Sequence, residues 1–368
     1  MLLIQSERNA LLAALTAVVG VVERRHTLPI LSNFLLDKKG GKLTVLATDL
    51  ELQVSTQLAT TDAGEDFAIT IAARKLFDIV RALPDAAKLK LDTKDSQVVV
   101  SAGKSRFTLQ TLPAADFPRI ETGAGLGDAI RLPQKTLKRL LQLVQFAMAS
   151  QDIRYYLNGM LLVLDGKHLR VVATDGHRLS YAETELETEA EAREVIIPRK
   201  TVIELSKLLG DVEDPVELRI GANQVTITLP ATELVTKVVD GKFPDYHRVI
   251  PASQPRHLKV NRSNVIQALQ RAAILSNEKF RGVRLVMSEN TLGIVCNNNE
   301  QEEAADEIEV SYDGDPLDVG FNVTYLLDGL GALNSEEITL SLGDANSSML
   351  LTSEGEPGFK YVVMPMRI

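Results

Sequence analysis

Asp175-Gly176-His177 sets a carboxylate beside an imidazole, the pairing that acid–base chemistry uses. Asp49 with Glu51, and the run Glu300, Glu302 and Glu303, offer grouped carboxylates of the kind that hold cations. Gly103-Lys104-Ser105 imitates the end of a phosphate loop. Each of these fails on its surroundings. No acidic group has a supporting histidine at ligand spacing, and the chain holds only five histidines. Val98 stands where the first glycine of a phosphate loop belongs, and Gly123-Ala124-Gly125-Leu126-Gly127 opens no helix after a strand. Cys296, the single cysteine, falls in an apolar strand and reads as a buried, inert thiol. Alone it forms no internal disulfide, which fits a reducing, cytoplasmic setting. No nucleophile, metal cage or nucleotide cradle emerges and no cofactor is expected. The sequence does not read as a catalyst.

The same residues say more by recurring. Ala47-Thr48-Asp49-Leu50-Glu51-Leu52 returns as Ala173-Thr174-Asp175-Gly176-His177-Arg178, and in weaker form at Cys296-Asn297-Asn298-Asn299. Ala73-Arg74-Lys75 returns as Pro198-Arg199-Lys200 and faintly as Phe321-Asn322-Val323, while Phe117-Pro118 returns as Phe243-Pro244 and Met364-Pro365. Asp49 lies as far before Asp175 as Pro118 lies before Pro244, so independent markers share one spacing. A period that long is a folded domain, not a solenoid unit. Three tandem domains follow, at 1–127, 128–255 and 256–368. Gly123–Gly127 makes a flexible link after the first, and Pro251-Ala252-Ser253-Gln254-Pro255 a stiffer one after the second.

The elements that must position these residues read as an α+β class. Apolar spacing predicts helices at 6–25, 74–84, 133–150, 198–209, 262–279 and 322–333, each preceded by one strand and followed by three. One β-α-β-β-β unit is thus expected six times. Each helix should cover one face of a sheet, and similar domains side by side can extend their sheets edge to edge. An arc of three leaves a free edge at each end; two arcs joined head to tail close a ring with none left.

Composition bounds the partners. The 368 residues are 45% hydrophobic and 24% charged, ordinary for a globular protein, with no apolar run able to span a membrane and no export leader expected. The net charge is −9, yet the expected helices sum to a positive charge, so the acid is concentrated elsewhere. Arg74, Lys75, Lys135, Lys138, Arg139, Arg199, Lys200 and Lys207 fall on or beside those helices. No helix-turn-helix, zinc finger or RNP motif appears, so sequence-specific readout of nucleic acid is not expected.

Thr27-Leu28-Pro29-Ile30-Leu31, Thr111 to Pro118, Asp152 to Gly159, Ala173 to Leu179, Ile274 to Gly282 and Tyr361 to Arg367 carry a further signal. On these blocks the chain closely resembles the bacterial DNA polymerase III β subunit family, the replicative sliding clamps, over its whole length. The resemblance implies the DNA-clamp fold in three domains, with helices inside and sheets outside a head-to-tail homodimeric ring. It implies a non-catalytic processivity factor that encircles double-stranded DNA and tethers the DNA polymerase III catalytic subunit. It further implies an ATP-driven clamp loader, translesion polymerases and mismatch-repair proteins as partners through short peptide motifs, no membrane, and a bacterial, nucleoid-associated location.

Three sites come with the resemblance. Arg25, Gln151, Asp152, Arg154, Tyr155 and Tyr156 are implied as DNA-proximal, joining Arg74, Lys75, Arg199 and Lys200. By residue type alone, the two tyrosines could equally be core packing. A partner-peptide groove is implied at Leu157, Thr174, Gly176, His177, Arg178, Leu179, Pro244, Arg248, Val249, Ser348, Val362, Val363, Met364, Pro365, Met366 and Arg367. Flexible Met364 and Met366 suit varied side chains, although by itself this ending reads as an ordinary last strand. A dimer seam is implied between Lys104, Arg106, Phe107 and Leu109 and, on the other subunit, Ile274, Leu275, Glu300, Glu302 and Glu303, where a solvated acidic loop is the plainer reading of the glutamates. Two other functions stay on the table, a metal-dependent nuclease using the acidic clusters and an open, monomeric peptide-binding scaffold.

Overall fold

The computed structural model describes residues 2–23, 27–59, 65–123 and 125–367. The chain divides into two compact units, Met1–Lys135 with Ile203–Val238, and Thr136–Val202 with Val239–Ile368.

The first unit opens with strand β1 (Leu2–Glu7), helix α1 (Arg8–Val19) and strands β2 (Asn33–Lys39), β3 (Lys42–Thr48) and β4 (Leu52–Ala59). The same order repeats as β5 (Phe67–Ala72), α2 (Ala73–Ala82), β6 (Lys88–Lys94), β7 (Gln97–Ala102) and β8 (Ser105–Gln110). Strands β9 (Ile130–Pro133), β12 (Pro215–Ile220), β13 (Gln224–Thr228) and β14 (Thr232–Lys237) complete it. A four-stranded sheet runs β1-β6-β7-β8, and an eight-stranded one β5-β2-β3-β4-β14-β13-β12-β9. The joint between β4 and β14 pairs Leu52 with Thr236 and Val54 with Leu234, so one sheet continues from the first repeat into the second. The alternation that builds it is plain in β12, where Val216, Leu218 and Ile220 are buried while Arg219 projects to solvent.

The second unit holds β10 (Gly159–Thr174), β11 (Arg178–Pro198) and β15 (Arg256–Asn261), then α5 (Arg262–Ala273), β16 (Gly282–Ser288), β17 (Thr291–Asn297) and β18 (Glu303–Glu309). It ends with β19 (Leu317–Asn322), α6 (Val323–Ala332), β20 (Glu337–Leu342), β21 (Met349–Thr352) and β22 (Phe359–Val363). Its sheets run β10-β11-β22-β21-β20-β15 and β18-β17-β16-β19. Here β11 and β22 make the joint, with Arg178 opposite Val363 and Ser180 opposite Tyr361. The expected edge-to-edge continuation therefore occurs at two places, once inside each unit.

The six helices exist where apolar spacing put them, but they are shorter. α1 begins at Arg8 instead of residue 6 because β1 stays paired through Glu7, opposite Lys88. The helix after β9, α3 (Gln134–Val144), gives way to a 3-10 turn at Gln145–Ala147, and α5 stops at Ala273, whose carbonyl accepts the Ser276 hydroxyl. The remaining helix, α4 (Arg199–Leu208), follows β11 directly. Where three separate strands were expected in the middle repeat, β10 and β11 run on. β10 shifts register around Gly166 (φ 59°), so Gly159–Leu164 pairs with one end of β11 and His168–Thr174 with the other.

The starts of α1 and α5 share a device. Arg8 donates from Nε to the Val80 carbonyl (3.0 Å) and from Nη2 to the Arg81 carbonyl (2.7 Å), the exposed end of α2. Arg262 does the same for α6, donating to Leu330 O (3.3 Å) and to Ser335 O (2.8 Å) just beyond the helix. A guanidinium at the start of one helix thus satisfies orphan carbonyls, and the negative dipole end, of its neighbour. Among the described residues no helix is long and apolar enough to cross a membrane.

Candidate functional site

The recurring Thr-Asp segment is a turn, and its hydrogen bonds explain its residue types. Thr48 Oγ1 donates to Leu52 O (3.0 Å) and accepts from Leu50 N (3.1 Å), while Asp49 Oδ1 accepts from Glu51 N (3.0 Å) and Leu52 N (2.7 Å). In the second copy Thr174 Oγ1 donates to Arg178 O (2.6 Å) and accepts from Gly176 N (3.1 Å), and Asp175 Oδ1 accepts from His177 N (2.9 Å) and Arg178 N (3.1 Å). In the third, Asn298 Oδ1 accepts from Glu300 N (2.9 Å) and Glu302 N (3.0 Å). Each turn has one residue at positive φ: Leu50 (76°), Gly176 (91°) and Gln301 (65°). The second copy has glycine there, where the conformation costs least.

The turn accounts for the carboxylate at Asp175 without any acid–base role: its Oδ1 holds the turn and its Oδ2 accepts Arg178 Nε at 3.0 Å. Asp175→Ala should lower unfolding stability by about 3 kcal/mol, since two N–H groups and one partner of a largely buried arginine are left without an acceptor. Thermal or urea denaturation measures it; unchanged stability would contradict the turn assignment.

A cleft of about 210 Å³ lies against this turn in the second unit, lined by Arg154, Tyr156, Leu157, Thr174, Gly176, His177, Arg178, Leu179, Pro244, Val249, Val362 and Met364. Leu157, Leu179 and Val362 are buried, while Met364 is 41% exposed at the wall. Below it Leu179, Val362, Phe243 and Tyr246 belong to one apolar cluster, with Tyr156 and Val249 packed against it. The chain end is tied in place: Met364 N donates to His177 O (2.9 Å) and Met366 N to Gly320 O (2.8 Å). Arg178 is the anchor underneath. Its Nη1 donates to Asp328 Oδ2 (2.6 Å) and its Nη2 to Phe146 O (2.8 Å), and its guanidinium lies 4.4 Å from the Tyr325 ring centre. Burial works against its charge, yet Tyr361 and Asp328 beside it hold Arg178 above the ordinary arginine range.

Six residues expected at this groove are not part of the cleft lining. Val363 is fully buried in β22; Ser348, Pro365 and Met366 are half-buried; Arg367 is exposed. Arg248 is exposed and pairs with Asp245 at 3.0 Å.

Two residues expected near DNA, Arg154 and Tyr156, also line this cleft. Gln151 (φ 57°) turns the chain, and Asn158 brackets the loop, accepting from Asp152 N (2.9 Å) and donating to Asp152 O (2.8 Å). Arg154 then reaches the Thr-Asp turn, donating to Asp175 O at 3.2 Å. Its guanidinium and backbone N–H also donate to the Asp152 carboxylate and hold that acid down to about 2. The tyrosines part company: Tyr156 packs on the apolar cluster, and Tyr155 is 57% exposed.

The helix cations are mixed. Arg25 lies outside the described residues. Arg74 and Lys75 are exposed on α2, with Arg74 Nη2 donating to Val22 O (3.1 Å). Arg199, half-buried, donates to Met148 O (2.9 Å), and Lys200 is half-buried beside it. Three others are less free than their sequence suggested, because acids pack next to them: Lys135 pairs with Glu213, Arg139 with Glu356, and Lys207 with Glu204 at 2.7 Å. Still, among the described residues none of the α-helices α1 to α6 has an acidic residue in its first turn, against the usual preference for acids there.

The residues expected at a dimer seam fall on outer strands or next to them. β8 ends one four-stranded sheet, with Arg106 exposed on it, Lys104 exposed in the turn before it, Phe107 half-buried and Leu109 buried. β18 ends the other, with Glu303 on it and Glu300 and Glu302 in the preceding turn, all exposed. Ile274 is 78% exposed and Leu275 half-buried. Cys296 is buried as expected, its Sγ 3.2 Å from Gly282 O.

Family models of the DNA polymerase III beta subunit match in sequence: the N-terminal domain over residues 2–121, the central domain over 131–245 and the C-terminal domain over 247–367. The chain belongs to the DNA polymerase III beta subunit family. The beta sliding clamp of Pseudomonas putida is 47% identical over 363 residues, covering 98% of this chain and 99% of the relative, and that of Escherichia coli K12 is 45% identical over 362. Among solved structures, a Pseudomonas aeruginosa sliding clamp bound to griselimycin superposes with a TM-score of 0.96 at 44% identity, all of both chains being covered. The Caulobacter crescentus clamp gives 0.91 at 38%, with 99% of each covered. These likenesses lend no support to the nuclease alternative. In this beta subunit, Asp328, Tyr325 and Phe146 are the cleft's supports that the sequence reading missed; the one hint was the placement of Tyr325 and Asp328 three apart on one helix face.

Proposed function

We propose that two copies of this chain close head to tail into a ring around duplex DNA and hold a replicative polymerase on its template. The chain is a non-catalytic accessory subunit of its family. The observation that supports the ring is sheet continuity: β4 joins β14, β11 joins β22, and strands of opposite charge, β8 and β18, each end a four-stranded sheet with an unpaired edge. Head-to-tail pairing of those ends satisfies both edges and both charges at once.

Acid-free helix starts bearing Arg74, Lys75, Arg199 and Lys200 support contact with phosphates alone, which leaves sliding unhindered. Arg25, Gln151, Asp152, Arg154, Tyr155 and Tyr156 join them in this reading. The cleft beside Met364 is read as the docking groove for short peptide motifs of the polymerase catalytic subunit, the ATP-driven loader, translesion polymerases and mismatch-repair proteins. A relative bound to griselimycin supports a ligand-binding groove in this family. On a primed circular template with a loader and polymerase of a related bacterium, adding this chain should lengthen products at least about tenfold per binding event. Unchanged product length would contradict the proposal.

A further inference from the structure

Arg178 lines the groove, yet it offers no charge to a ligand. Its side chain is only 10% exposed, and Nε, Nη1 and Nη2 are committed to Asp175, Asp328 and Phe146. What Arg178 does instead is hold shape. Through Asp175 it fixes the turn carrying Gly176 and His177, and His177 O receives Met364 N, so the cleft wall is referred back to one guanidinium. That guanidinium is held in turn by α6, from outside the cleft lining. Asp328 accepts from it at 2.6 Å, and one turn earlier Tyr325 lies under it and also stacks on the His177 ring, 6.5 Å between centres.

We propose that Asp328 is a positioning residue for the peptide groove, setting the cleft's shape through Arg178 without touching the bound ligand. This rests on reading the cleft as the docking groove. Charge-assisted hydrogen bonds to a planar guanidinium are strong and directional, so loss of one arm lets Arg178 rotate and the Asp175 turn follow. A groove whose competent shape is only partly populated binds more weakly by that fraction.

The test uses the full-length dimer and griselimycin as the probe, with dissociation constants from calorimetry. Asp328→Asn should weaken binding about tenfold and Asp328→Glu should recover most of it, while dimer mass and melting temperature hold. Arg178→Ala should weaken binding by more, and adding D328N to it should change nothing further, because the carboxylate then has nothing to position. Asp328→Ser serves the same cycle should D328N fold poorly. Wild-type affinity in D328N, or full additivity with R178A, would overturn the proposal while leaving the groove intact. Absence of griselimycin binding by the unaltered chain would overturn the groove reading and this one together.

Discussion

Removing Met364–Ile368 should abolish groove binding, by about 100-fold or more, and leave the dimer whole. Met364 forms the exposed apolar wall of the cleft, and Met366 is tied to Gly320 on β19. Losing the burial of the Met364 side chain against a ligand is worth roughly 1.5–3 kcal/mol, which alone supplies about tenfold to 100-fold. Truncation also strips His177 O of its donor, Met364 N, so the remaining wall loosens. The residues expected at the seam lie on or next to β8, β18 and the end of α5, none of which is deleted. Griselimycin titration and sedimentation check both halves; loss of the dimer along with binding would refute separate sites.

Much of this was legible in the residues. The period of the chain announced repeated domains, and the recurrence of Thr-Asp at 48–49 and 174–175, weakened to Asn-Asn at 297–298, marked equivalent turns, because each uses a side-chain oxygen to hold backbone N–H groups. Helix positions followed from Leu11, Leu15 and Val18, all buried on one face of α1. What stayed hidden depends on distant partners. Arg178 meets Asp328 across 150 positions and Arg139 meets Glu356 across 217, so no local pattern reveals that one becomes an anchor and the other loses its free charge. Arg154 and Tyr156, implied near DNA by the resemblance, also line the cleft, on a loop that Asn158 brackets, a contact no local pattern announces.

Reversing charge at one outer strand should dissociate the ring, and the matching reversal should rebuild it. In a head-to-tail dimer each copy offers β8 to one seam and β18 to the other. Lys104→Glu with Arg106→Glu sets acid against the acids of β18 in both seams; Glu300→Lys with Glu303→Lys sets base against base. Like charges placed opposite cost several kcal/mol, so each double variant alone should be monomeric at micromolar concentration. Mixed, the two should form a heterodimer, because one seam is then native and the other fully inverted. Sedimentation or native mass spectrometry reads the outcome. Dimers of either variant alone would show that these strands are not the seam.

Topology tests the central claim most directly. The chain is loaded on nicked circular plasmid by a loader, washed at about 0.5 M salt, and the plasmid is then linearised. Phosphate contacts weaken steeply with salt, so a surface binder leaves at the wash. The ring account predicts that protein survives the wash and departs only when the circle is cut. Loss at the salt step, or retention on linear DNA with free ends, would contradict it.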